Sequence, residues 1–132
     1  MVHRMTTPGL FPPPGYAHTA VVEAGRRLVF TAGAVPLDAG GELTGSGDPL
    51  AQAVQVLANL EAALAAVGCG LDDVVASTVY VVATEPGDLS RVWEIVRGSE
   101  LSAGPHTSTL LGVSCLGYTG QLVEITAVAA LP

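Results

Sequence analysis

Residues 50–83 read LAQAVQVLANLEAALAAVGCGLDDVVASTVYVVA, and this stretch predicts a helix followed by a buried strand. Across residues 50–67 the apolar side chains recur every three or four positions, which is the spacing of a helix with one buried stripe. The glycines in residues 68–70 then end the helix. From residue 72 to residue 83 the chain is rich in β-branched residues and apolar on both faces, which predicts a central strand.

Four more strands and a second helix are predicted around this stretch. HTAVVEAGRRLVFTAGAV, residues 18–35, reads as a hairpin of two strands. GDLSRVWEIVRGSEL, residues 87–101, reads as a helix capped near Asp88. HTSTLLGVSC, residues 106–115, and QLVEITAVAAL, residues 121–131, close the chain as two strands. The order β-β-α-β-α-β-β predicts an α+β domain in which two helices cover one face of a mixed sheet.

The 132 residues suit one domain. Residues 1–14 hold four prolines and are predicted to form an extended N-terminal arm, and residues 15–132 form a single domain. No segment approaches the roughly 20 apolar residues of a membrane span, so we expect a cytoplasmic protein with no membrane partner. Cys69 and Cys115 fit free, buried thiols in a reducing compartment. They and the three histidines lack the close spacing of a metal site, so no metal is predicted.

The charge balance excludes several function classes. Twelve acidic residues stand against five arginines, there is no lysine, and the formal net charge is -7. The missing lysine excludes Schiff-base chemistry through a lysine amine. The negative charge argues against nucleic acid, because affinity for a polyanion comes from basic side chains. Only 13% of the residues are charged while 49% are apolar, and such a charge-poor surface predicts an oligomer.

Glu124 is the most informative single residue. It lies in the middle of a strand that is otherwise almost entirely apolar, where a lone carboxylate is costly to bury unless something uses it. The functional interpretation is a carboxylate at a pocket wall that holds or activates water. The alternative is a glutamate on a half-exposed edge.

Other polar candidates stand at the start of predicted strands. Tyr16 and His18 are two residues apart in an extended segment and can point the same way, at a site or simply at solvent. In GPHTSTLLGV, residues 104–113, Thr107 and Thr109 share one face of the strand. His106, after a proline at the strand start, is predicted to be solvated. No phosphate loop, nucleophile elbow or dinucleotide fingerprint is present.

Four segments taken together resemble the RidA/YjgF family of reactive-intermediate deaminases, also labelled L-PSP endoribonucleases. They are GRRLVFTAGAVPLDAGGEL, the helix and strand of residues 51–83, STLLGV and LVEITAVA. The resemblance implies a chorismate-mutase-like fold and a homotrimer with pockets between subunits. It implies hydrolysis of small imines and enamines, such as 2-aminoacrylate, to keto acids and ammonia, without a metal or organic cofactor.

The resemblance also implies roles for individual residues. Glu124 matches the pocket glutamate that positions the attacking water, and Tyr16 matches a tyrosine near the N-terminus, so these two are the candidate catalytic residues. Gly33 matches a glycine whose backbone binds substrate, and Thr109 matches a pocket position held by cysteine or threonine. Trp93 replaces an asparagine of the second helix. With His18 and Thr107, these are the candidate substrate-binding residues.

Thr107 marks a departure from the deaminating members. They read ARST where this chain reads HTST, so Thr107 stands where they place an arginine that clamps the substrate carboxylate. The other arginines are not expected to substitute for it: Arg4 belongs to the flexible arm, two belong to the hairpin turn and two face solvent on the second helix. Simple 2-imino acids are therefore predicted to be poor substrates.

The sequence leaves three functions open. The first is an enzyme that uses Glu124 to add water to, or move a proton on, a small imine, enamine or enol without a carboxylate. The second is a non-catalytic trimeric small-molecule-binding or regulatory protein with pockets between subunits. Thr107 in place of the family's arginine, and Ala32-Gly33-Ala34 in place of its Ser-Gly-Gln turn, favour this function. The third is a ribonuclease, which follows from the family label and which the net charge of -7 opposes.

Overall fold

The computed structural model describes residues 2–132. Its strands and longer helices are β1 (Val2–Met5), β2 (Thr19–Val22), β3 (Leu28–Phe30), α1 (Pro49–Ala65), β4 (Val74–Val82), α2 (Pro86–Arg97), β5 (Thr107–Val113) and β6 (Val123–Ala130). Short 3-10 turns over Leu71–Asp73 and Glu100–Ser102 lead into β4 and β5. Within the described residues, no helix is long and apolar enough to cross a membrane.

The main sheet has the order β3-β6-β4-β5. β4 pairs with β5 in parallel and with β6 antiparallel, and β3 pairs with β6 antiparallel. The sheet is therefore mixed, and the predicted α+β class is confirmed. Both helices lie on one face, where alternate residues of β4 and β6 are buried in a core with the apolar stripes of α1 and α2.

The helices begin where the local sequence caps them. The Asp48 carboxylate accepts hydrogen bonds from the backbone N–H groups of Leu50 and Ala51, and Pro49 occupies the first helical position of α1. α2 also begins with a proline, after an N-cap at Glu85. The predicted cap at Asp88 is wrong, because Asp88 lies within the first turn, where its negative charge suits the N-terminal end of the helix dipole.

The predicted hairpin of residues 18–35 does not form. β2 pairs antiparallel with β1 in a separate two-stranded sheet, whereas β3 joins the edge of the main sheet beside β6. The turn is instead tied to the end of the chain, because Arg26 Nε donates to the carbonyl oxygen of Leu131 at 2.8 Å. The alternation of apolar and polar residues predicts a strand, but it does not show whether that strand pairs with its neighbour in the sequence or with a distant strand.

The predicted N-terminal arm is partly ordered as a strand. Met1 lies outside the described residues, but Val2–Met5 pairs along its whole length with β2. Arg4 does not belong to a flexible segment as expected: its guanidinium donates to the carbonyl oxygens of Asp72 and Val74 at 2.9 and 2.8 Å. These bonds fasten the arm to the start of β4.

His106, which precedes β5, is fully buried, so the prediction that it is solvated is wrong. Its Nδ1 lies 3.3 Å from the carbonyl oxygen of Leu101, which requires the proton on Nδ1. Its Nε2 is buried with no hydrogen-bond partner among the described residues. Burial, aided by the charge of Arg4, lowers the pKa of His106.

This buried histidine predicts a loss of stability in acid. Because the folded protein resists protonation of His106, the unfolded chain binds more protons below about pH 6.5. The free energy of unfolding should then fall by up to about 1.4 kcal/mol per pH unit. Urea unfolding at fixed protein concentration from pH 7.5 to 5 measures this dependence. His106→Gln should flatten it and the exposed control His3→Gln should not; equal slopes in both variants would contradict the assignment.

Candidate active site

The sheet face opposite the helices carries the candidate site. On this face Thr109 of β5, Thr78 of β4 and Thr126 of β6 stand in register across three strands. The face is only half buried, and Phe30 at its β3 edge is 74% exposed. Such a surface, with hydroxyls flanked by exposed apolar side chains, suits either a ligand or another protein surface.

A groove of about 570 Å³ runs over this face. Its lining includes four candidate residues that the sequence singled out, Tyr16, His18, Thr107 and Thr109. The other lining residues are Ala17, Phe30, Thr31, Ala76, Ser77, Thr78, Ser108, Thr126, Ala127 and Val128. None of these side chains is an arginine, a lysine or a carboxylate, so the groove is polar through hydroxyls and carries no permanent charge.

Thr107 and Thr109 share a face of β5, as predicted, but their hydroxyls differ. Thr107 Oγ1 donates to the carbonyl oxygen of Val75 at 3.0 Å, which ties it to the neighbouring strand. Thr109 is exposed. Ser108 points to the other face, where its hydroxyl lies 3.0 Å from that of Ser77. Thr109 is therefore the more available of the two threonines for a ligand.

His18 holds the N-terminal arm against the groove. Its Nδ1 accepts from the backbone N–H of Thr7 at 2.8 Å, so its Nε2 carries the proton and donates to the carbonyl oxygen of Phe11 at 3.0 Å. Both ring nitrogens are thus engaged by the arm. His18 lines the groove with its ring, which meets the Tyr16 ring edge-on at 6.3 Å between centroids.

Trp93 is buried and packs against the Tyr16 ring. Its indole Nε1 donates to the carbonyl oxygen of Pro14 at 2.8 Å, and its ring lies 6.2 Å from that of Tyr16 and 6.3 Å from that of His106. Trp93 also borders a second cavity of about 500 Å³ with Tyr16 and Thr109. Only 7% of Trp93 is exposed, so its main contribution is to fix the tyrosine.

Glu124 occupies a different part of the same face. Its Oε1 accepts a hydrogen bond of 3.0 Å from Gln121 Nε2. Its carboxylate lies against Gly33, where an added Cβ would collide with Oε2 and come within 2.6 Å of Cδ. A side chain at position 33 would therefore require the carboxylate to shift. The structure places these two candidate residues in contact.

The two groups of candidate residues do not meet within one chain. Thr109 and Glu124 stand on strands separated by β4 and are offset by two residues, which places their Cα atoms roughly 12 Å apart. Glu124 is absent from the lining of the groove that holds Tyr16, His18, Thr107 and Thr109. The candidate residues thus form two separate groups on this face.

In the part of the chain that the structure describes, no cluster of three or more histidine, cysteine, aspartate or glutamate side chains is present. The two cysteines are free; Cys69 is buried, which raises its pKa, whereas Cys115 is exposed, contrary to the prediction that both are buried.

Comparison with known proteins identifies the chain. The family model described as Endoribonuclease L-PSP matches residues 12–131. The chain belongs to this family. It is 37% identical over 114 residues to protein DfrA of Myxococcus xanthus, covering 86% of this chain and 83% of that protein.

Solved structures place the chain among the Rid proteins of this family. The Rid protein YyfB of Yersinia pestis, described as of unknown function, superposes with a TM-score of 0.91 at 34% identity and 98% coverage of both chains. A member of the YjgF/YER057c/UK114 family from Mycobacterium tuberculosis superposes with a TM-score of 0.67 at 25% identity, over 99% of this chain and 100% of that one.

Two features of the candidate site were not predicted from the sequence. Gln121 contacts the candidate glutamate directly, and its signal was available as an amide at the start of an apolar strand, three residues before Glu124. The alignment of Thr78, Thr109 and Thr126 depends on the pairing register of three strands. Register is a long-range property, so the second feature was not readable from the chain alone.

Proposed function

We propose that this Rid protein acts on a small, uncharged imine, enamine or enol, using Glu124 to add water or transfer a proton. In the hydrolytic case Glu124 takes a proton from water as the water oxygen bonds to the imine carbon, and Glu124 passes this proton to the nitrogen to give a carbinolamine. Glu124 then takes the proton of the carbinolamine hydroxyl and returns it to the nitrogen, so that the C–N bond breaks, ammonia leaves and a carbonyl remains. Tyr16 is the second catalytic candidate, and Gly33, Thr107, Thr109, His18 and Trp93 hold the substrate or shape its pocket.

The proposal is supported by a groove without permanent charge on the same sheet face as the Glu124 carboxylate. Its polar side chains are hydroxyls with one imidazole, and that imidazole already bonds to two backbone groups. A substrate carboxylate would lose its water shell there without gaining a cation, and a Glu124 brought to the groove by a second copy would add like-charge repulsion. A neutral substrate avoids both costs.

The placement of the arginines supports the same conclusion. Arg4 donates to two backbone carbonyls and Arg26 donates to a third. Arg97 lies 3.7 Å from the Glu94 carboxylate and packs along Gly15. The two others, Arg27 and Arg91, are exposed, and no arginine lines the groove. Within one chain, no arginine takes the place of the carboxylate-binding arginine that Thr107 replaces.

The proposal includes a homotrimer, because a second copy can complete the site. One chain presents Tyr16, Thr107 and Thr109 in the groove and presents Glu124 with Gly33 elsewhere on the same face. A neighbouring copy packed on this face would cover Leu28, Phe30 and Leu111, which are 46%, 74% and 42% exposed. It would also bring its Glu124 toward the groove of the first copy.

Light scattering after size exclusion tests this assembly. We expect three times the chain mass of 13.3 kDa. Phe30→Asp should shift the protein to the monomer, because a buried carboxylate would lack a partner in the interface. Phe11→Asp is a matched control at an arm residue that is 78% exposed. A wild-type protein that elutes as a monomer and is active would refute the shared site.

The deaminase clamp gives a direct test of substrate class. We expect ammonia release from freshly generated 2-aminoacrylate to be slow with the wild-type protein and at least about tenfold faster with Thr107→Arg, since a bidentate arginine pair with the carboxylate restores binding. Thr107→Lys is the control, since it supplies charge without the planar fork. A wild-type protein that already releases ammonia rapidly would disprove the argument from the missing cation.

The second candidate function is a trimeric protein that binds a small metabolite without catalysis. The apolar turn Ala32-Gly33-Ala34 and the anchored ring of Trp93 favour it. Glu124→Gln separates the two functions: turnover should fall by about a hundredfold or more if the carboxylate moves protons. Ligand affinity by calorimetry should change little in either case. A bound ligand with no turnover by the wild-type protein would favour the binder.

A further inference from the structure

Two buried glutamines lie behind Glu124: the first holds the backbone on either side of the second, and the second hydrogen-bonds Glu124. Gln52 of α1 is fully buried and Gln121, at the start of β6, is 3% exposed. A buried amide costs free energy unless its donors and acceptor find partners. The hydrogen-bond partners of these two amides therefore show which parts of the chain the amides hold in place.

Gln52 fixes the backbone on both sides of Gln121. Its Nε2 donates to the carbonyl oxygens of Gly45 and Gly120 at 3.1 and 3.0 Å, and its Oε1 accepts from the backbone N–H of Leu122 at 2.7 Å. The residues before and after Gln121 are thus tied to α1. A rigid helix sets the position from which the Gln121 side chain extends.

The side chain of Gln121 has only one possible orientation. Its Oε1 accepts from the backbone N–H of Tyr118 at 3.2 Å, and since that group can only donate, Nε2 must face the other way. Nε2 then donates to the carbonyl oxygen of Val123 at 3.1 Å and to Glu124 Oε1 at 3.0 Å. Both amide protons and the amide oxygen are occupied, which locks the rotamer.

We propose that Gln121 is a positioning residue that holds the Glu124 carboxylate for its reaction, an inference that rests on the proposed function. Gln121 binds one carboxylate oxygen while Gly33 bounds the space around the other. The carboxylate is thereby fixed before any substrate arrives, and such fixing raises the rate of a proton transfer.

Nuclear magnetic resonance tests the contact without any substrate. The side-chain amide signals of Gln121, assigned by their loss in Gln121→Leu, should shift when Glu124 is protonated at low pH and when it is replaced in Glu124→Gln. Gln55 provides an internal control, because its Nε2 donates to the uncharged Asn59 Oδ1. Gln121 signals that behave like those of Gln55 would overturn the inference, whether or not the protein has activity.

Kinetics then test the consequence, with the substrate that the wild-type protein turns over. Gln121→Leu should lower kcat about tenfold or more while KM changes by less than about twofold. Gln121→Glu keeps an acceptor for the backbone N–H of Tyr118, so the backbone of residues 118–121 should stay in place. Its carboxylate faces Glu124 with a like charge, which should move the pH profile of kcat to higher pH. Gln55→Leu should leave kcat unchanged.

The outcomes separate the two proposals. A wild-type protein without turnover, whose Gln121 signals nevertheless follow Glu124, contradicts the proposed enzyme and leaves the positioning contact standing. An active protein whose Gln121→Leu variant keeps its kcat and pH profile contradicts the positioning role alone. Thermal unfolding of each variant shows whether a loss of kcat merely follows a loss of folded protein.

Discussion

β4 pairs with a different strand on each side, and the placement of the candidate residues on β5 and β6 depends on it. Its backbone pairs in parallel with β5 and antiparallel with β6. Its buried side chains pack against the helices, while Ala76, Thr78 and Tyr80 face the other way. A slip of one residue would exchange these faces and bury the threonine row. The same pairing sets the distance between Thr109 and Glu124, and so keeps the two groups of candidate residues apart.

Local patterns were enough to predict the elements that carry their own periodicity. The stripe of α1 and the β-branched run of β4 lie where the sequence indicated, and the last two strands begin within two residues of their predicted starts. The failures involve partners far along the chain. β2 pairs with a four-residue strand too short to show a pattern, and His106 is buried by elements that only the fold assembles around it.

In the candidate site, too, local features were predictable from the sequence and long-range contacts were not. Glu124 stood out because a charge in an apolar strand is visible in the sequence, and the missing arginine at Thr107 was visible from the resemblance. Gln121 and Gly33 are also visible as residues, but the sequence does not show that both contact the Glu124 carboxylate. The residue types show which reacting groups are available, whereas the positions of those groups depend on contacts that form only in the folded chain.

The part of the N-terminal arm from Thr7 to Pro14 is held through its main chain. Trp93 binds the carbonyl oxygen of Pro14, and His18 binds the backbone of Thr7 and of Phe11. Every residue type supplies a carbonyl oxygen, and every type except proline supplies an N–H. The side chains of residues 7–14 can therefore vary without loss of these hydrogen bonds, while the tryptophan and histidine that make them cannot. Relatives could thus vary the exposed surface beside Tyr16 and leave the tyrosine where it is.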